Sequence, residues 1–173
     1  NPQSALLVQD LSNDSFSSVE IGPNIEEIAY HENSDKVVTL NLTSPALMQL
    51  TIIDGLNNQI LHETVIDWIL HVFPCNNNFS YLGGGNFLKS LNMTNYEILD
   101  IPNNPLSIPF HILDFAQKEN GNCVVLAIEN GEPGCKLLEI EKTTNQIIAN
   151  HQYYINPLFE GGLKFFEYKN SLM

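Results

Sequence analysis

The chain contains no arginine and only seven lysines against twenty acidic residues, giving a formal net charge of −13. Recognition of nucleic acid rests on Lys and Arg neutralising phosphates, so this composition argues against a nucleic-acid partner. An anionic membrane surface is disfavoured for the same reason. No apolar run reaches the roughly 18 residues of a membrane span. The longest candidates, such as Val65 to Phe73, are interrupted by Asp67 and His71. Cysteine is also scarce. Cys75, Cys123 and Cys135 form no CxxC pair, which argues against structural zinc. Cys123 and Cys135 each open an apolar strand on either side of a turn, but a regular hairpin puts Cys135 nearer Glu129. Buried free thiols are therefore favoured over a bridge.

Long helical patterns are missing as well. Alternation with a period of two, broken every six to ten residues by Gly, Pro, Asn or Asp, runs almost from end to end. Ala5 to Leu11 and Phe16 to Ile21 form an opening pair of predicted strands. Units of about forty residues then begin at Ile28, Ile69 and Ile112. The first predicts strands Ile25 to Tyr30, Val37 to Leu42, Leu47 to Ile53 and Gln59 to Val65. The second reads Trp68 to Phe73, Phe79 to Leu82, Phe87 to Leu91 and Tyr96 to Ile101. The third reads Phe110 to Ala116, Cys123 to Ile128, Lys136 to Ile140 and Gln146 to His151, and Leu163 to Tyr168 looks like the start of a fourth.

A four-stranded blade takes roughly 40 to 50 residues, so the expected fold is all-β: a β-propeller or partial propeller of four-stranded antiparallel blades, with a sandwich as the alternative. The 173 residues are expected to form a single domain. The first strand pair could complete the last blade and close a small ring, or a second chain or further blades could complete it, because closure removes exposed edges. The sequence begins Asn1-Pro2, so a preceding signal peptide, tag or longer segment is expected to have been removed.

Two resemblances follow from the motifs. Tyr81-Leu82-Gly83-Gly84-Gly85-Asn86-Phe87-Leu88-Lys89-Ser90-Leu91 resembles the hairpin between the second and third strands of a WD40 blade. From Pro109 through Phe166, the run Pro-Phe-His-Ile-Leu-Asp-Phe, then Cys123 to Asn130, Leu137 to Ile140 and Asn156 to Glu160 is similar to six-bladed propellers of the paraoxonase and senescence-marker type. That resemblance implies a calcium-dependent lactonase or arylesterase. Glu160 matches an acidic ligand position, with Phe159 where the family has Asn, and His111 lies one position from the place of a catalytic His.

The candidate chemistry is a set of carboxylates. Glu26-Glu27, Asp67, Asp114 and Glu160 fall in or near predicted first strands, which in a propeller line a central channel, and converging carboxylates supply hard oxygen ligands for Ca²⁺. The calcium reading takes Glu26, Asp67 and Glu160 as ligands and His111 as base. That enzyme is the alternative; the leading reading is a non-catalytic module needing no cofactor, which binds a protein or peptide partner through loops at one end of the blades. Its candidate contacts are Phe73, Phe79 and Tyr154. His31, His71, His111 and His151 recur every forty residues. The first three sit at different offsets from their strand starts, so they cannot form one ring of ligands. Gly83-Gly84-Gly85 reads as a turn or bulge. Sequons at Asn13, Asn41, Asn78 and Asn92, all assigned to turns, favour a secreted or luminal protein.

Overall fold

A computed structural model describes residues 4–10, 15–67, 69, 71–75, 78–154, 167–168 and 171–172. These residues are all-β apart from one 3-10 turn, Glu32–Ser34. β1 (Ser4–Asp10) and β2 (Ser15–Ile21) pair in a two-stranded sheet. Three four-stranded antiparallel sheets follow, each a meander in chain order. The first contains β3 (Ile25–His31), β4 (Lys36–Ser44), β5 (Leu47–Asp54) and β6 (Ile60–Asp67). The second contains β7 (His71–Pro74), β8 (Phe79–Gly84), β9 (Phe87–Asn92) and β10 (Ile98–Asp100). The third contains β11 (Phe110–Gln117), β12 (Cys123–Glu129), β13 (Cys135–Ile140) and β14 (Ile147–Tyr153). A last short pair joins β15 (Glu167–Tyr168) and β16 (Ser171–Leu172).

Period-two alternation explains how the sheets stack, because successive side chains leave a strand on opposite faces. Val38, Leu40, Met48, Leu50 and Ile52 of the first sheet pack on Val72, Leu82 and Leu91 of the second. The opposite face of the second sheet, with Tyr81 and Leu88, packs on Phe110, Ile112, Phe115, Val125 and Leu138 of the third. Phe73 and Phe115 stack across that interface, with ring centroids 5.6 Å apart. The other face of the first sheet meets β2 through Val19, Ile21 and Ile53. The third sheet also buries Val124, Leu126, Cys135 and Leu137 on its far face. The central strands of the meanders are thus buried on both sides, and their polar edges fall to the outer strands.

One turn recurs between the third and fourth strands of every four-stranded sheet, and it is the clearest repeat in the molecule. Asp54 Oδ1 accepts from the Leu56 and Asn57 backbone N–H groups, and Asn92 Oδ1 from those of Thr94 and Asn95. Glu141 Oε2 does the same for Thr144. Four residues after each acceptor, Asn58, Tyr96 and Asn145 take φ of 60°, 64° and 56°, and each donates its N–H back to the acceptor residue's carbonyl. An acceptor side chain followed by a left-handed residue closes the reversal locally. Asn and Asp tolerate that conformation, whereas Tyr96 is held there against its intrinsic preference.

Four expectations require correction. Asp67 is not in a first strand: it ends β6, opposite Leu47, at the outer edge of the first sheet. Asn41 is not in a turn but inside β4, with no exposed surface. Its amide donates to the Gly22 carbonyl at 2.7 Å and accepts the Thr39 hydroxyl at 3.0 Å, so the side chain has no room for a glycan. Gly83 and Gly84 end β8 rather than forming a turn, and a Cβ on Gly83 would come within 2.7 Å of the Phe115 ring. Glycine there lets β11 approach the second sheet. Finally, among the described residues the opening strand pair does not complete the last blade: β1–β2 and β15–β16 form separate two-stranded sheets.

Candidate functional site

The first strands of the three meanders, β3, β7 and β11, lie next to one another. Their C-terminal ends converge on a recess of about 130 Å³. Tyr30, His31, Glu32 and Asn33 come from the end of β3, Pro74 and Cys75 from the end of β7, and Gln117 from the end of β11. Three separate repeats therefore contribute equivalent positions to one opening. The Gln117 amide donates to the Cys75 carbonyl and ties two of the three strand ends together. Tyr30 is 54% exposed and donates its hydroxyl to Asp35 at 2.8 Å, a bond that, with burial and nearby carboxylates, raises its pKa. His31 is buried, with Nδ1 2.8 Å from the Ser34 hydroxyl.

A charged level lies below this opening. Glu27 precedes His31 by four residues and His71 precedes Cys75 by four, while Asp114 precedes Gln117 by three. At 3.3 Å per residue, four residues span roughly 13 Å of strand. Glu27 reaches from the first sheet to the second: Oε2 is 3.6 Å from His71 Nδ1, and Oε1 accepts the Val72 N–H at 3.1 Å. The hydrogen bond to Glu27 raises the His71 pKa against the opposing effect of burial, and the charges of Glu27 and Asp114 reinforce it. Glu27 and Asp114 are thus the two predicted channel carboxylates that act on one group, and the missing partner was His71. Their place three or four residues before each first-strand end was the signal that could have found it.

The other predicted residues are dispersed. Glu26 is exposed beside a register shift in β3. Asp67 is three strands away from β3, about 14 Å at 4.8 Å per strand. Glu160 lies outside the described residues. His111 is exposed and pairs with Gly85. Glu26, Asp67 and His111 are therefore not gathered, and among the described residues no group of three or more His, Cys, Asp or Glu is placed to hold a metal ion. The four periodic histidines occupy different levels: His31 ends β3, His71 starts β7, His111 is the second residue of β11 and His151 is exposed in β14. Phe73 and Phe79 pack against the core, whereas Tyr154 is 80% exposed. Of the remaining sequons, Asn78 is exposed, Asn92 is half-buried in its turn, and Asn13 lies outside the described residues.

The class defined by these observations is an all-β protein of successive four-stranded meanders with a polar recess where their first strands end. The chain matches no protein-family model, and no curated protein matches it.

Proposed function

We propose that the chain is a propeller-like binding module, non-catalytic, whose recess receives a basic side chain from a protein or peptide partner. The observation that carries this reading is the convergence of three first-strand ends on one opening lined by Tyr30, Glu32, Asn33 and Gln117. Binding residues on loops of a rigid sheet scaffold are positioned without large ordering cost. A carboxylate, amide oxygens and an aromatic face suit an ammonium or guanidinium group. The net charge of −13 adds a field that steers a cation toward the protein. Exposed Asn78 supports a secretory route for the module.

The test is affinity selection of a random peptide library carrying one fixed lysine against a matched library carrying one fixed glutamate. Selection of lysine peptides, with at least a tenfold loss of affinity in Glu32→Lys and an unchanged circular-dichroism spectrum, is the expected result. Equal retention of both libraries, or binding indifferent to Glu32→Lys, overturns the proposal.

A further inference from the structure

One wall of the recess carries a nucleophile that peptide binding does not use. Cys75 follows β7 and Cys123 opens β12, and both thiols are buried in the apolar cluster between the second and third sheets. Independent contacts place them side by side. Cys75 Sγ is 4.0 Å from the Gly121 carbonyl oxygen, in the turn that leads into Cys123. The Gln117 amide donates to the Cys75 carbonyl, and Gln117 is the direct cross-strand partner of Cys123. Both side chains belong to the same buried cluster, with Cys75 3% and Cys123 0% exposed. Cys135 lies on the opposite face of the third sheet, in another cluster and opposite Tyr153.

We propose that Cys75 and Cys123 form a dithiol that closes to an intramolecular disulfide when the folded protein meets a low-molecular-weight disulfide, stapling the second sheet to the third beside the recess. Cys75 lines the recess and is the attacking group. Its thiolate displaces one thiol from the small disulfide and leaves a mixed disulfide on Cys75. Cys123 then loses its proton and attacks the Cys75 sulfur, expelling the second small thiol. Two protein thiols are oxidised, and one small disulfide is reduced to two thiols. Burial pushes the Cys123 thiol well up, and the nearby Cys75 adds to it. The second step is therefore the slow one. Because both thiols lie in one core cluster, side-chain rotation is the movement that brings the sulfurs to the roughly 2.05 Å of a disulfide.

The experiment is incubation of the folded chain with oxidised glutathione, followed by peptide mapping without reductant. The expected product links the Cys75 and Cys123 peptides, lacks two hydrogens, melts at a higher temperature and returns to the dithiol with dithiothreitol. Cys135→Ser should oxidise like the unaltered chain, and Cys75→Ser and Cys123→Ser should yield no intramolecular link. Glutathione retained on Cys75 without onward closure, a link through Cys135, or oxidation only after unfolding in urea each overturns the proposal. The mapping of the unaltered chain decides the matter even if a cysteine variant fails to fold.

Discussion

Glu129 and Glu27 each face a nitrogen base, in opposite surroundings. Glu129 ends β12 with its side chain 5% exposed, paired with Lys136 of the adjacent strand and accepting the Ser107 N–H. Burial pushes its carboxyl up, yet Lys136 and the Ser107 N–H together hold it below the ordinary carboxylate range. Glu27 instead crosses from one sheet to the next, and it and His71 keep 26% and 43% of their side-chain surface in water. A pair closed within one sheet fastens the loop before β11 to β12 and has no solvent to fall back on. A pair between sheets, at the level below the recess, can exchange protons with little cost to the fold. The first is a structural fastening, and the second is a pH-sensitive contact between the first and second sheets.

Breaking the enclosed pair should have the largest effect. Lys136→Met leaves Glu129 charged without its partner and should cost about 3–5 kcal/mol, measured as a lower urea midpoint at unchanged slope. Adding Glu129→Leu should recover most of that loss, because an apolar pair removes both desolvation penalties. A double variant no more stable than Lys136→Met would show that the pair does more than satisfy its own charges.

Acid titration tests the same pair more gently. Glu129 has a depressed folded pKa, so its contribution is present above its unfolded value of about 4.3 and is lost as pH falls through the folded value. Glu139 behaves alike: burial raises its carboxyl, and Asn122 and Lys118, at 2.7 and 2.9 Å, bring it below the usual range. Stability should therefore fall below pH of about 4, and Glu129→Gln should flatten that limb. An equally steep limb in the variant would assign the acid sensitivity elsewhere.

The pair below the recess should give a smaller effect of opposite sign. The folded pKa of His71 is raised, so its stabilisation is full below the unfolded value of about 6.5 and disappears as pH rises through the folded value. Solvent screening limits it to within about 1 kcal/mol. In Glu27→Gln, the His71 titration followed by NMR should move back toward the unfolded value. An unmoved titration would make Asp114, rather than Glu27, the controlling charge.

The smallest effect belongs to Glu141, which is half-buried at the start of its turn. Hydrogen bonds from Thr143 and Thr144 lower its carboxyl to about 2. Glu141→Asp places there the residue that Asp54 supplies in the first sheet, so the melting temperature at neutral pH should barely change. A pronounced drop would show that the longer side chain is needed to reach Thr144.

The sequence by itself determined the strands, their grouping into fours and most of their reversals. Those features depend on short-range facts: alternation decides which side chains leave each face, and Asn, Asp or Gly decides where the chain can turn back. It also placed Glu27 and Asp114 in or near first strands and favoured free thiols at Cys123 and Cys135, which the structure shows free. It misplaced Asp67, because β6 runs two residues farther than the local pattern marks, and Asn41, whose sequon was read as a turn although it falls inside the predicted strand Val37 to Leu42. The stacking of the sheets alone brings Glu27 to His71, puts Cys75 and Cys123 in one core cluster, and opens three strand ends on one recess. These are contacts between different sheets. Their partners are set by the stacking of aliphatic and aromatic faces such as Leu50 on the second sheet and Phe115 on Phe73, and no periodicity within a single strand encodes which face will lie against which.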